Sequence, residues 1–335
     1  MMYQLACNRA GGFSVVAASL LIAASVRAED QQPLERIAII ASKGKAGALD
    51  HLGADWKNSR LFVANEINDS LDVVDVKNNK LVQQVPGQKR IHGVAYAADL
   101  DRIFAGNGEG VCNALDGRDY SLLKSIPLPG ANNVRYDPRT HHVFVGGDKA
   151  LVVIDAKTLE RVAAVKLPAS PRGFQIASKQ PRAFVNTGSP CHVAVVNTDN
   201  NDVVALYSFE KEKGLGPLAL DESNGRVFVG VRGKPRLAVL DWESGKEVAS
   251  VPIPEGSDDM FFDAMSKRIY ISCSSGFVAV IRQSDADHYE SVAQISTIKG
   301  AKTSAYDPSA KKLYLAVPRQ PGKQGPEIWV HQAKD

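Results

Sequence analysis

The chain has 335 residues, with 40 Lys and Arg against 37 Asp and Glu, 44% apolar residues and 7% aromatics. These proportions lie near globular averages and exclude a disordered or collagen-like chain. A formal charge of +3 is too small to suggest a polyanion-binding surface, and the length suits two average domains or one large all-β domain.

At the N-terminus, Arg9 is the only charge before an apolar run over residues 13–24 (FSVVAASLLIAA), and Val26-Arg27-Ala28 then places a small residue before Glu29. A basic start, a short apolar middle and a V-x-A end describe a cleavable secretory leader. The run is too short for a membrane span, which takes roughly 20 residues. Cleavage after Ala28 would leave 307 residues with a formal charge of +1, and would send the protein to the periplasm or outside the cell. It would also remove Cys7 and leave Cys112, Cys191 and Cys273, an odd number with no CxxC pair. That spacing indicates no zinc knuckle, redox dithiol or c-type haem attachment, and thiols in three separate repeats are expected to be free.

From residue 60 onward one phrase recurs: RLFVA at Arg60, RIFAG at Arg102, HVFVG at His142, RAFVN at Arg182, RVFVG at Arg226, RIYIS at Arg268 and KLYLA at Lys312. Its aromatics are Phe62, Phe104, Phe144, Phe184, Phe228, Tyr270 and Tyr314, spaced 42, 40, 40, 44, 42 and 44 residues apart. Within each unit an alternating segment precedes the aromatic by about ten residues, as at Val94-x-Tyr96. A third run follows, ending in an acid or amide such as Asp75, Asp155, Asn197 or Asp241, and then a short fourth one. Period-2 alternation with turn residues at each junction is the pattern of strands. The Asp at the end of a third strand is expected to cap its own turn. Four strands in about 42 residues, seven times over, predict an all-β fold: a seven-bladed β-propeller of four-stranded antiparallel blades.

The seventh unit offers one further strand, 328–332, and then ends, while the segment 36–41 (RIAIIA) precedes the first unit and belongs to no repeat. The N-terminal strand is therefore expected to close the last blade. The expected organisation is a leader over 1–28 and a single domain over 29–335, with the closing strand at 36–41 and the repeats over about 50–332.

The phrases R-[LIV]-[FY]-[VI]-[AGNS] and V-x-V-[ILV]-D, some 11 to 13 residues apart, resemble the YVTN-type repeat of exported bacterial YncE-like propellers. The likeness covers essentially residues 36–335, and the stretches NNVRYDP, GSDDMFFDA and QSDADHYESVAQI are similar to exported members. The resemblance implies a rigid ring with a ligand-binding face. It implies no reaction, since propellers host enzymes, binders and scaffolds alike.

Propeller sites gather at the channel mouth where the inner strands begin. Counting twelve and eleven residues back from each aromatic gives Asp50-His51, His92-Gly93, Asn132-Asn133, Arg172-Gly173, Gly216-Pro217, Asp258-Asp259 and Lys302-Thr303. Brought round one axis, His51, His92, Asn132, Asn133, Arg172, Asp258, Asp259 and Lys302 would form a polar funnel for a small anionic or zwitterionic ligand. Asp50, Asn132, Asp258 and Asp259 are oxygen donors that suit a divalent cation such as Ca²⁺. The gluconolactonase-type propellers hold one ion in such a mouth, but Arg172 and Lys302 in the same ring favour a carboxylate- or phosphate-bearing ligand instead. His51 and His92 are the candidates for a general acid or base, with no nucleophile motif to accompany them.

The expectation is an exported, non-catalytic propeller that binds a small polar ligand or partner in its funnel. The alternatives are a metal-dependent hydrolase of lactonase type, acting on a lactone or similar ester, and a scaffold for an unidentified periplasmic protein. Nucleic acid is not an expected partner, because the charge after cleavage is only +1, aromatics are 7% and the acids are evenly interspersed among the cations. No membrane span is expected, nor any cofactor beyond that possible ion, and the chain should be a monomer.

Overall fold

The computed structural model describes residues 32–334, apart from 46, 319–321, 323 and 324. The expected leader over 1–28 lies outside the described residues. What the structure shows is all-β: seven four-stranded antiparallel sheets, with two single 3₁₀ turns, Trp56–Asn58 and Glu66–Asn68, among the described residues. Blade 1 consists of Leu52–Asp55, Arg60–Asn65, Ser70–Asp75 and Lys80–Pro86, from the axis outward, and blades 2 to 6 repeat that order. The innermost strands touch in sequence, and that of blade 7 (Ser304–Asp307) returns to that of blade 1, so the blades close into a ring.

The repeat phrase is the second strand of each blade, and its alternation explains why an aromatic recurs there. Leu61 and Val63 face blade 7, whereas Phe62 and Ala64 face blade 2. Each of the seven junctions between blades holds one apolar cluster. The repeated aromatic always packs toward the next blade, as Phe104 does against Val143 and Val145, or Tyr314 against Leu61 and Val63. Phe62, Phe104, Phe144, Phe184, Phe228 and Tyr270 are 0% exposed and Tyr314 is 1% exposed. Burying such a ring contributes about 1.5–3 kcal/mol, and truncating it to Ala costs about 3–5 kcal/mol.

The basic residue that opens the phrase joins blades on the opposite face from the inner-strand starts. Arg60 of blade 1 donates to Gly117 O of blade 2 and pairs with Asp101 at 3.1 Å. Arg102 reaches Lys157 O of blade 3 at 2.7 Å, Arg182 reaches Glu243 of blade 5 at 2.7 Å, and Arg226 reaches Asp287 of blade 6 at 2.8 Å. Blade 3 has His142 at this position, and there Arg139 makes the link, to Asp199 of blade 4 at 2.7 Å. Partly exposed pairs of this kind supply about 0–1 kcal/mol each. The apolar clusters therefore hold the ring, and the arginines set how one blade sits on the next.

Blade 7 closes as the repeat arithmetic predicts. Leu34–Ala41 pairs antiparallel with Glu327–Ala333, from Leu34 opposite Ala333 to Ala41 opposite Glu327, with a bulge between Arg36 and Ala38. The closing strand is two residues longer than the expected 36–41, because Leu34, 1% exposed, is part of the apolar cluster between blades 6 and 7. Just beyond this strand the chain is tied to blade 1. The carboxylate of Asp72, 1% exposed, accepts hydrogen bonds from Ser42 Oγ at 2.5 Å, Asn65 Nδ2 at 2.8 Å, Ser70 Oγ at 2.8 Å and Gln84 Nε2 at 3.0 Å. The third-strand acids cap their turns as expected: Asp75 accepts from Lys77 N at 2.9 Å, and Asp155 from Lys157 N at 2.8 Å. Cys112, Cys191 and Cys273 are free and buried.

His331, in the third strand of blade 7, lies opposite Arg36 of the closing strand and is 2% exposed. Burial, helped by the Arg36 charge, pushes its imidazole down from the ordinary 6.5 to about 4. The remaining charges on this part of the blade, Glu35 and Lys334, pair with each other at 2.7 Å. The folded state holds His331 neutral while the unfolded chain takes up a proton near the ordinary value. Its contribution is thus intact above pH 6.5 and fades as the pH falls toward 4, a loss on the order of 3 kcal/mol. Urea denaturation at pH 7 and pH 4.5 should show a steeper loss of stability for the native chain than for His331→Gln. Equal losses in the two proteins would contradict this account.

Candidate functional site

The inner strands converge on the axis, and small residues let them do so. An added Cβ at Gly93 would lie 2.1 Å from Asn132 O of blade 3, and one at Gly173 would lie 2.6 Å from Gly216 O of blade 5. These glycines follow His92 and Arg172 in the sequence. Backbone approach at the glycine brings the preceding polar side chains together at the mouth.

The mouth is a cavity of about 150 Å³, the size for a small molecule rather than a chain segment. Asp50 and His51 of blade 1, Asn132 and Asn133 of blade 3, Arg172 of blade 4, and Asp258 and Lys302 of blades 6 and 7 all line it. Two further expected residues stand behind that lining. His92 Nδ1 is 2.8 Å from Asp50 Oδ2, and Asp259 Oδ1 is 3.0 Å from His51 Nδ1. Asp259 Oδ2 also accepts from Ser304 N at 2.9 Å, which fixes it to the adjacent inner strand. Farther along the channel, Arg135 Nε donates to Gln175 Oε1 of the next blade at 3.3 Å, with its guanidinium 5.6 Å from the centre of the Phe174 ring. A second cavity differs: Ile176, Leu220, Met260, Phe261 and Phe262 line it together with Gln175, Glu222 and Tyr306, a mixed apolar and polar surface toward the other ends of the inner strands.

Charge at the polar mouth is organised in pairs. Burial alone would lower the His51 pKa, but the carboxylates of Asp259, Asp50 and Asp258 overcome it and raise the group to about 9, so the imidazole is protonated at neutral pH. Asp258 bonds to Arg232 and pairs with Lys302 Nζ at 2.6 Å. Burial opposes ionisation of Asp258, yet His51, Lys302 and Arg232 hold its pKa below the usual carboxylate range. Lys302 is raised in turn, because Asp258 outweighs the cost of its burial. With His51 protonated, the cavity lining bears four cations (His51, Arg172, Arg232 and Lys302) and two carboxylates (Asp50 and Asp258). Asp259, behind His51, is the third carboxylate. Among the described residues, Arg172 alone of the four cations has no carboxylate partner. Beside it in the lining, Asn133 is 5% exposed and its Oδ1 has no hydrogen-bond partner.

The four oxygen donors expected for a cation are thus in different situations. Asp258 is engaged by two cations, Asp259 by His51 and Ser304, and Asn132 Oδ1 accepts from Asn133 Nδ2 at 3.2 Å. Asp50 faces His92 instead. Sequence reasoning missed Arg232, Arg135 and Glu66. Arg232 and Glu66 both stand four residues after a repeat aromatic, a position held elsewhere by Gly108, Asp148, Gly188, Ser274 and Pro318. A second count, forward from the aromatics, would have found both. Arg135 carried no such signal, since it lies within an inner strand whose other members are mostly apolar.

A seven-bladed β-propeller with a charged, polar cavity where its inner strands begin is the class that fold and site define. The chain is similar in structure to a chain of Kuenenia stuttgartiensis hydrazine synthase, with a TM-score of 0.74 and 17% identity over 82% of this chain and 94% of that one. It is also similar to the WD40 repeats of RRP9, with a TM-score of 0.76 and 10% identity over 89% of this chain and 98% of that one. At these identities the likeness is one of fold. No protein-family model and no curated protein matches the chain.

The convergence of the inner strands can be tested at Gly93. In Gly93→Ala the new methyl would meet the backbone of Asn132 and Val134 at 2.1 and 2.9 Å, and neither can swing aside as a side chain could. The substitution should lower stability by about 2 kcal/mol or more, read from the urea midpoint. An unchanged midpoint would show that the strands are looser than described.

Proposed function

We propose that the chain is an exported propeller of the YVTN, YncE-like type that binds a small anionic molecule in its polar mouth and performs no chemistry on it. The leader-like residues 1–28 and the seven repeat phrases support export and family. The observation that carries the binding reading is the unpaired guanidinium of Arg172 in a lining where cations outnumber carboxylates. A guanidinium without a counter-ion offers two parallel N–H donors to a carboxylate or phosphate. The free carbonyl of Asn133 beside it would accept a hydroxyl or amide proton from the same ligand. The ligand class is therefore a compact carboxylate or phosphate ester that also carries a hydrogen-bond donor. Catalysis has less support: His51 is held between two carboxylates, and the residues that line the cavity include no Ser, Thr or Cys beside it.

Calorimetric titration with inorganic phosphate, a hydroxy-carboxylate and a neutral sugar as comparison would test the reading. The two anions should bind and the sugar should not. Loss of a charged hydrogen bond is worth about 1.5–3 kcal/mol, so Arg172→Ala should weaken anion binding roughly 10- to 100-fold. Asp258→Asn, which releases Lys302 and Arg232, should strengthen it. Anion binding that is indifferent to Arg172→Ala would refute the proposal.

A further inference from the structure

On the wall of the polar mouth, three side chains from three segments meet without a complete set of partners. Asp50 precedes the inner strand of blade 1, Glu66 opens the 3₁₀ turn after the second strand of the same blade, and His92 lies on the inner strand of blade 2. One ligand atom from each lies within 4.8 Å of the others. We propose that Asp50, Glu66 and His92 form a binding site for a divalent transition-metal ion.

Three observations carry this. First, two carboxylates are held within 4.8 Å of each other although, among the described residues, Glu66 has neither a hydrogen bond nor an ion pair to its side chain. Two acids so close repel one another, and a cation between them removes the repulsion. Second, the backbone holds the three segments in place. Asp50 N donates to Ala64 O at 2.8 Å, and Ile67 N donates to Ala48 O at 3.2 Å. His51 N donates to His92 O at 3.0 Å, which locks blade 1 to blade 2 beside the site. Third, Gly108, the counterpart in blade 2 of Glu66, puts no side chain beside the imidazole, where a Cβ would lie 2.7 Å from His92 Nε2, so the ring has room for the rotation that coordination needs.

The donor set identifies the ion class. Ca²⁺ takes six to eight oxygen ligands at about 2.3–2.6 Å, which two carboxylates cannot provide. One imidazole and two carboxylates suit Zn²⁺, Mn²⁺ or Co²⁺. Bonds of about 2.0–2.2 Å in tetrahedral array separate ligand atoms by roughly 3.3 Å, so side-chain rotation must open the 2.8 Å His92–Asp50 contact slightly and draw Glu66 in. Three protein ligands leave a coordination position unfilled, and one of the three, Asp50, also lines the funnel. Around Asp50, His51 Nε2 stands 3.7 Å from the other carboxylate oxygen and is itself anchored by Asp259, an outer shell that holds the ligand in orientation. The site does not depend on anion binding at Arg172, since the two use different side chains.

The test uses the full chain, stripped with EDTA and titrated with Zn²⁺, and separately with Co²⁺ while its visible absorption is followed. One ion per chain should bind, with the Co²⁺ spectrum of a low-symmetry, nitrogen-containing site. Glu66→Gln and His92→Ala should each weaken Zn²⁺ binding at least tenfold. Circular dichroism should show both variants still folded, Glu66→Gln in particular, because it breaks no existing contact. Arg172→Ala should leave metal affinity unchanged, so failure of the anion proposal and failure of this one give separate results. Absence of stoichiometric Zn²⁺ binding, Ca²⁺ binding as tight as Zn²⁺, or binding that survives both Glu66→Gln and His92→Ala would each overturn the assignment.

Discussion

Everything at the polar mouth depends on the closure of blade 7. Six blades are each made from consecutive strands, but the seventh takes its outermost strand, Leu34–Ala41, from the other end of the sequence. Without that strand, Glu327–Ala333 would be an edge, and the apolar cluster between blades 7 and 1 would lose Ile40. The next residue, Ser42, donates to the buried carboxylate of Asp72, so closing the blade also positions the start of blade 1. Asp50 and His51 lie a few residues farther on. The closing strand and the start of the site are thus joined by a short stretch of chain tied down at Ser42.

The interactions divide by strength. Seven apolar clusters between blades supply most of the stability, because each buries an aromatic ring together with several aliphatic side chains. The arginine links on one face are weak singly and act on geometry. At the other face the carboxylates of Asp50, Asp258 and Asp259 are buried more deeply than the acids of those links, so their charges are screened less by solvent. Asp258 is shared by Lys302 and Arg232, and Asp259 holds His51, which leaves Arg172 as the one of the four cations with no carboxylate partner among the described residues.

The fold was legible because its determinant is local and repeated. One aromatic in each second strand fills one junction, and the spacing of those aromatics counts the blades. The same spacing located the inner-strand starts: six of the eight expected ligand-binding residues line the cavity, Asn133 with a free carbonyl, and the other two, His92 and Asp259, stand one position behind and hydrogen-bond to Asp50 and His51. What stayed hidden is set by side-chain reach rather than by periodicity. Arg232 arrives from a loop of blade 5 to share Asp258, and Glu66 approaches Asp50 and His92 from a 3₁₀ turn. The repeated Arg, visible in the sequence as part of a phrase, could not be read as a link between blades until its partners on the next blade were in place.

The most direct test of this account is the thermal unfolding of a chain that begins at residue 42, followed by circular dichroism with phosphate present and absent. Loss of the closing strand should abolish the cooperative transition of the ring and any stabilisation by phosphate. A truncated chain that melts cooperatively near the native temperature, and is still stabilised by the anion, would contradict the claim that closure by Leu34–Ala41 holds both the ring and the polar mouth together.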